Sequence, residues 1–345
     1  MNTRKIILLF YWTIIFPSVV FCQSSKSTHV PVTFSDPSLP VITNRLNDTL
    51  SDDCLMLLNN IDFSKPLKIY EYNHTAECIC CNEIKIFNDC KALSEDNNDW
   101  LVFVHGDSKT FSTAAISGLE IQNLHHVKVL VFSWPSKNEE GNGIKNFNNS
   151  KKNAAAGVVQ FKELLLLIQE YKKGHQWPEE TFHLSLFFHS LGNYYLERLV
   201  KDSLLADLDS NLFDNLIINA AAVNQEAHAN WLDRLHIQKR IYITSNKHDV
   251  NLNGLRIFSN SGKQLGERLK LPLSSGATYI NFTRAIGFTL PTGDSHTYFI
   301  GRMPNNSGNI KDFYTNLFHG RAVNLSDSTK FIRRNDGLGY NILFK

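Results

Sequence analysis

Ser190 is the residue around which the chemistry of this chain can be argued. It stands in Phe188-His189-Ser190-Leu191-Gly192-Asn193, after the apolar and β-branched run Thr181 to Phe187 and before the helix-like run Tyr194 to Leu205. A serine at such a junction reads as a nucleophile elbow. The sharp turn lifts the hydroxyl out of the backbone, and the following helix aims its N-terminal amides at the same point. A serine hydroxyl is a weak nucleophile at neutral pH; it needs an imidazole base held in one tautomer by a carboxylate. Asp249 lies in Ser245-Asn246-Lys247-His248-Asp249, just past a strand-like run, and His296 lies in Gly293-Asp294-Ser295-His296-Thr297-Tyr298, beyond the last strand. They complete the order nucleophile, acid, histidine. Asp294 and Asp214 are rival acids, and His319 is a rival base. An acyl-transfer oxyanion also needs two backbone N–H donors. Leu191, directly after the serine, offers one. Asp107, in His105-Gly106-Asp107-Ser108, offers the other, with its carboxylate expected to point away from the developing charge. His189 is expected to be a packing neighbour, His248 to be exposed, and Trp134-Pro135 to wall the pocket or end a strand.

Such groups collect at the carboxyl ends of strands in a doubly wound sheet, and the chain has the elements for one. Apolar runs at 100–104, 127–132, 181–188, 216–219, 241–244 and 278–282 predict buried strands. Between and after them, helices are predicted at 113–124, 151–172, 194–205, 225–235 and 311–318. Asn142 to Asn149 reads as a surface loop. Two-sided apolar strands alternating with helices imply an α/β fold with a mostly parallel sheet flanked by helices and right-handed crossovers. Two alternating segments, 67–72 and 83–87, predict half-buried strands before this region. They fit either a hairpin stapled by cysteines or the first antiparallel strands of the main sheet.

The ordered motifs Phe103-Val104-His105-Gly106, Phe132-Ser133-Trp134-Pro135-Ser136, His189-Ser190-Leu191-Gly192-Asn193, Asn219-Ala220-Ala221, Thr244 through Asp249 and His296-Thr297-Tyr298 resemble an α/β-hydrolase. The resemblance is greatest to the uncharacterised bacterial branch called domain of unknown function nine hundred, and it covers residues 100 to 300. It implies a serine hydrolase in which Ser190, Asp249 and His296 take the triad roles and no cofactor is needed. Phe188 departs from the first glycine of the general G-x-S-x-G pattern. The region before residue 99 is not matched by the resemblance.

The remaining features bound the setting. The chain has 345 residues, 43% of them hydrophobic and 20% charged, with a net charge of +2. That balance gives no basic face for a nucleic-acid partner. Arg4 and Lys5 precede the apolar run Ile6 to Phe21, which reads as a signal peptide over residues 1–22 and an exported, periplasmic or extracellular protein. An uncleaved signal or a lipidated Cys22 would instead touch the membrane. Residues 23–98 are expected to form an extension, opening with a flexible Ser/Thr/Pro-rich leader over 24–40, and residues 99–345 the catalytic domain. Cys54, Cys78, Cys80, Cys81 and Cys90 all fall in the extension, where export favours disulfides over a metal site. Paired His125-His126 lacks ligand-spaced partners, so no metal is expected. The expected substrate is a small-molecule ester or a lipid. The alternative is a catalytically silent hydrolase fold used for binding at the cell envelope.

Overall fold

The computed structural model describes residues 34–36, 38–48, 56–64, 66–74, 81–83, 99–137, 143–174, 182–259, 262–287 and 292–345. The signal segment, Cys22, Cys54, Cys78, Cys80, Cys90 and most of the leader lie outside them. The strands are β1 (Ser38–Thr43), β2 (Arg45–Asp48), β3 (Met56–Ile61), β4 (Lys68–Asn73), β5 (Cys81–Glu83), β6 (Asp99–Val104), β7 (Lys128–Ser133), β8 (His183–His189), β9 (Phe213–Asn219), β10 (Gln238–Ser245), β11 (Ala277–Asn281), β12 (Phe331–Arg333) and β13 (Tyr340–Ile342). The helices are α1 (Phe111–His125), α2 (Gly143–Ala156), α3 (Val158–Gly174), α4 (Asn193–Lys201), α5 (His228–Leu232), α6 (Val250–Ser259), α7 (Thr283–Ile286), α8 (Arg302–Asn306) and α9 (Gly308–Phe318).

Eleven strands form one sheet in the order β12-β13-β11-β10-β9-β8-β6-β7-β1-β4-β5. From β13 to β1 every neighbouring pair is parallel; the pairs β1–β4, β4–β5 and β12–β13 are antiparallel. Strands buried on both faces must split successive side chains between two cores. Phe187 stacks on Phe103 at 5.6 Å in one core, while its neighbour Phe188 meets Phe161 of α3 at 5.7 Å in the other. Helices α2 to α6 cover the Phe188 face, and α1, α8 and α9 cover the Phe187 face.

The register aligns the carboxyl ends of the central strands. Val104 faces Phe188 and Phe132, His189 faces Asn219, Asn219 faces Thr244, and Ser245 faces Asn281. The turns that follow these residues therefore gather at one rim of the sheet.

Three expectations change. The Asn-rich stretch at 142–149 is not a loop: from Gly143 onward it is the first half of α2. Asn146, Phe147, Ser150 and Ala154 form its buried stripe. The expected helix 151–172 is two helices, separated at Gly157, which abuts the side chains of Asn44 and Tyr195. Before residue 99, β1, β4 and β5 belong to the main sheet, the second of the two arrangements expected there, with β1 beside β7 and β4 on its other edge, while β2 and β3 pair separately. The leader accordingly ends in β1, where Leu39 is fully buried.

Candidate active site

β8 enters the elbow with extended backbone at His189 (φ −113°, ψ 135°) and turns at Ser190, whose φ is +52°. A non-glycine residue in that region is strained by roughly 1–3 kcal/mol and persists only where its surroundings impose the conformation. The restraints are specific. Asn193 shares its amide hydrogens among the carbonyl oxygens of Ser190 (2.9 Å), Asn219 (3.2 Å) and Phe188 (3.3 Å). The N–H of Ala222 donates to Ser190 O at 3.1 Å. Close backbone approach completes the turn. A Cβ on Gly106 would lie 2.7 Å from Ser190 Cβ, and one on Gly192 would lie 2.6 Å from Val104 O. Both positions admit only glycine without displacement of the loop after β6.

His296 and Asp249 meet. Nδ1 of His296 donates to Asp249 Oδ2 across 2.6 Å, so Nε2 is the ring nitrogen left to act as a base. Asp249 is 0% exposed while His296 and Ser190 keep 6% and 7%, so the acid is sealed behind two groups that still reach solvent. Asp249 has a second task as N-cap of α6, its Oδ1 accepting from the N–H of Leu252 at 3.0 Å. The histidine loop is tied to the same turn. Asn246 Nδ2 donates to Ser295 O at 2.8 Å, and Val250 N–H donates to Ser295 Oγ at 3.3 Å. The His296 ring packs 4.6 Å, centroid to centroid, from the ring of His189, the residue before Ser190.

The rival residues lie elsewhere. Asp214, near the start of β9, pairs with Lys239 and accepts from the N–H of Leu184. His319 bonds to Asp99, the first residue of β6, at 2.5 Å. Both belong to the amino ends of the strands. Asp294 pairs with Arg302 at 2.6 Å. His248 is half-buried rather than exposed.

The loop after β6 is held by a histidine of fixed tautomer. Trp134 N–H donates to His105 Nε2 at 3.1 Å, so the ring proton sits on Nδ1 and donates to Gly106 O at 2.8 Å. The Trp134 indole N–H returns to His105 O at 2.9 Å, and the two rings stack at 5.3 Å with 4° between planes. Burial keeps His105 far below the usual imidazole pKa, hence neutral. Asp107 points its carboxylate at Asn146 of α2 (2.9 Å) and Ser108 (3.2 Å), and burial raises its pKa. Its backbone N–H has no acceptor among the described residues. Leu191 sits in a short 3₁₀ turn, Ser190–Gly192, whose first N–H groups lack intrahelical acceptors.

Beneath the elbow runs a buried polar network. Asn219 accepts from Thr244 Oγ1 (2.8 Å) and Tyr314 Oη (2.5 Å), which turns its NH₂ toward His189 Nδ1 at 3.0 Å. His189 is thereby fixed as the Nε2–H tautomer, and burial keeps it neutral. The roles of Asn193, Asn219 and the His105–Trp134 lock were not drawn from the sequence. Their only trace there is that each falls inside a motif of the family resemblance: the loop after β6, Phe132 to Ser136, the elbow, and Asn219-Ala220-Ala221.

Comparison with known proteins agrees with this architecture. No match was found among curated proteins or among solved structures. A family model described as alpha/beta hydrolase of unknown function (DUF900) matches residues 85–271, more than half of the chain. The parallel sheet, the strained serine turn and that match lead to one assignment: the chain belongs to this alpha/beta hydrolase family of unknown function.

Proposed function

We propose that the protein is a serine hydrolase that cleaves a carboxylic ester through an acyl-enzyme, with Ser190 as nucleophile, His296 as base and Asp249 as the orienting acid. The observation that carries this reading is the 2.6 Å bond from His296 to a fully buried Asp249, on a loop packed against the residue beside a strained serine. Strain at a serine in a strand-to-helix turn has a ready account in nucleophile presentation.

Ser190 Oγ attacks the ester carbonyl as its proton passes to His296 Nε2. The N–H groups of Leu191 and Asp107 receive the tetrahedral oxyanion. Collapse breaks the bond to the leaving alkoxide, which takes the proton from His296. Water then attacks the acyl-enzyme by the same route, with the same imidazole as base, and releases the acid. Asp249 keeps the ring proton on Nδ1 and stabilises the imidazolium. The basic and apolar N-terminal segment supports an exported location and, with it, a substrate outside the cytoplasm.

A panel of p-nitrophenyl esters of graded acyl length, run on the parent and on Ser190→Ala, tests the reading. Turnover by the parent and its loss in Ser190→Ala is the expected result. Labelling of the parent, and not of Ser190→Ala, by a fluorophosphonate probe identifies the nucleophile directly. A Ser190→Ala protein as active as the parent would overturn the assignment.

A further inference from the structure

Arg45 lies on β2, well before the region that the family model matches, yet its side chain is fully buried. Buried arginines are rare unless paired with an acid. Here Nε donates to Ser133 Oγ (3.1 Å), Nη1 to Asn59 Oδ1 (2.7 Å), and Nη2 to Lys109 O (3.0 Å) and Trp134 O. None of these acceptors is a carboxylate. Burial lowers its pKa to about 9, which still leaves the guanidinium charged at neutral pH. Among the described residues the guanidinium has no counter-ion, which is costly, and an apolar residue would fill the space more cheaply. The placement of the two carbonyls accounts for it.

Lys109 O closes the loop that begins at Gly106, and Trp134 O belongs to the residue that locks His105. The loop is also fixed to the chain after β7 by Ser108 N–H to Ser136 O (2.8 Å), Lys109 N–H to Ser136 Oγ (3.0 Å) and Ser136 Oγ to Lys109 O (3.2 Å), so Arg45 shares Lys109 O with a hydroxyl. The guanidinium therefore bridges the loop after β6 and the chain after β7. We propose that Arg45 is a positioning residue: by holding the carbonyls of Lys109 and Trp134 it keeps the Gly106–Lys109 loop where the Asp107 N–H can receive the oxyanion. The proposal rests on the serine-hydrolase reading. Its planar fork suits this task, because one rigid group addresses three segments at once and lysine cannot.

The test uses the full chain with Arg45→Met and Arg45→Lys beside Ser190→Ala. Arg45→Met is expected to lower kcat on a p-nitrophenyl ester by about 10- to 100-fold with KM within about twofold, as a misplaced oxyanion donor does. Amide exchange over residues 106–109 should quicken while α9 exchanges as in the parent. Arg45→Lys, which keeps the charge, should fall between the two, and it carries the test if Arg45→Met does not fold. A purely structural role would lower the melting temperature and leave kcat alone. A folded Arg45→Lys with the parent's kcat, beside an inactive Ser190→Ala, overturns the role of Arg45 and leaves the hydrolase reading standing. Unchanged loop exchange in the folded variants overturns it too. Full turnover in Ser190→Ala instead removes the hydrolase reading and the oxyanion role with it.

Discussion

Replacing Asp249 by asparagine separates two jobs that the residue performs with different oxygens. Oδ1 caps α6 through the Leu252 N–H at 3.0 Å, and Oδ2 receives the His296 Nδ1 proton at 2.6 Å. The Leu252 donor can be met only by the oxygen of an asparagine side chain, so the amide is pinned with its NH₂ toward His296. The ring must then accept at Nδ1 and carry its proton on Nε2, where it cannot act as base. A locked wrong tautomer costs about 10⁴-fold in kcat, which at about 1.36 kcal/mol per tenfold is about 5 kcal/mol of transition-state stabilisation. The cap survives, since asparagine and aspartate cap helices about equally, so stability should change by less than about 1 kcal/mol. Kinetics on a p-nitrophenyl ester and a urea titration of the same preparation measure both quantities. Near-parental turnover in a folded Asp249→Asn would refute the reasoning, because it would mean that the orientation of the ring does not depend on this carboxylate.

Further predictions follow from the elbow and the loop after β6. Ser190→Gly should abolish turnover while raising stability by about 1 kcal/mol, because glycine adopts φ +52° without strain; a urea midpoint at or below the parent's would contradict this. Gly192→Ala should cost at least about 2 kcal/mol, since its Cβ would meet the backbone oxygens of Val104 and His105 at 2.6 and 2.7 Å; differential scanning calorimetry reads the loss. Asp107→Asn tests a pH effect. Burial raises the pKa of this carboxyl in the fold, so its contribution favours the fold at acid pH and is lost as pH rises through the raised value. The asparagine variant should match the parent near pH 4 and exceed it in urea midpoint near pH 8.

The central strands were legible because a strand buried on both faces must be continuously apolar, and Leu101 to Val104, Val129 to Phe132 and Leu216 to Ile218 are. The elbow was legible for the same reason, as the polar Ser190 interrupts such a run at its end. α2 was not. Its Asn-rich composition disfavours helix, but Asn146 and Ser150 both bond to Ser136 O, and those tertiary bonds override propensity. Arg45 was hidden for a different reason. A lone arginine in a strand reads as a solvated charge, and only the fold brings residues 59, 109, 133 and 134 around it. The helix expected from 225 shrinks to His228–Leu232 because Ala227 turns into the left-handed region just before it.

β1 sits between β7 and β4, seated by a parallel ladder to residues almost a hundred positions further along the chain. The matched segment 85–271 contains β7 without this neighbour, and β10 without β11. Cut out alone, it would carry two naked ladders of unpaired amides and carbonyls, the kind of border along which identical molecules zip together. Fragment boundaries drawn from sequence likeness would thus turn a monomer-sized piece into a self-adhesive one, and soluble material calls for a cut that respects the sheet instead.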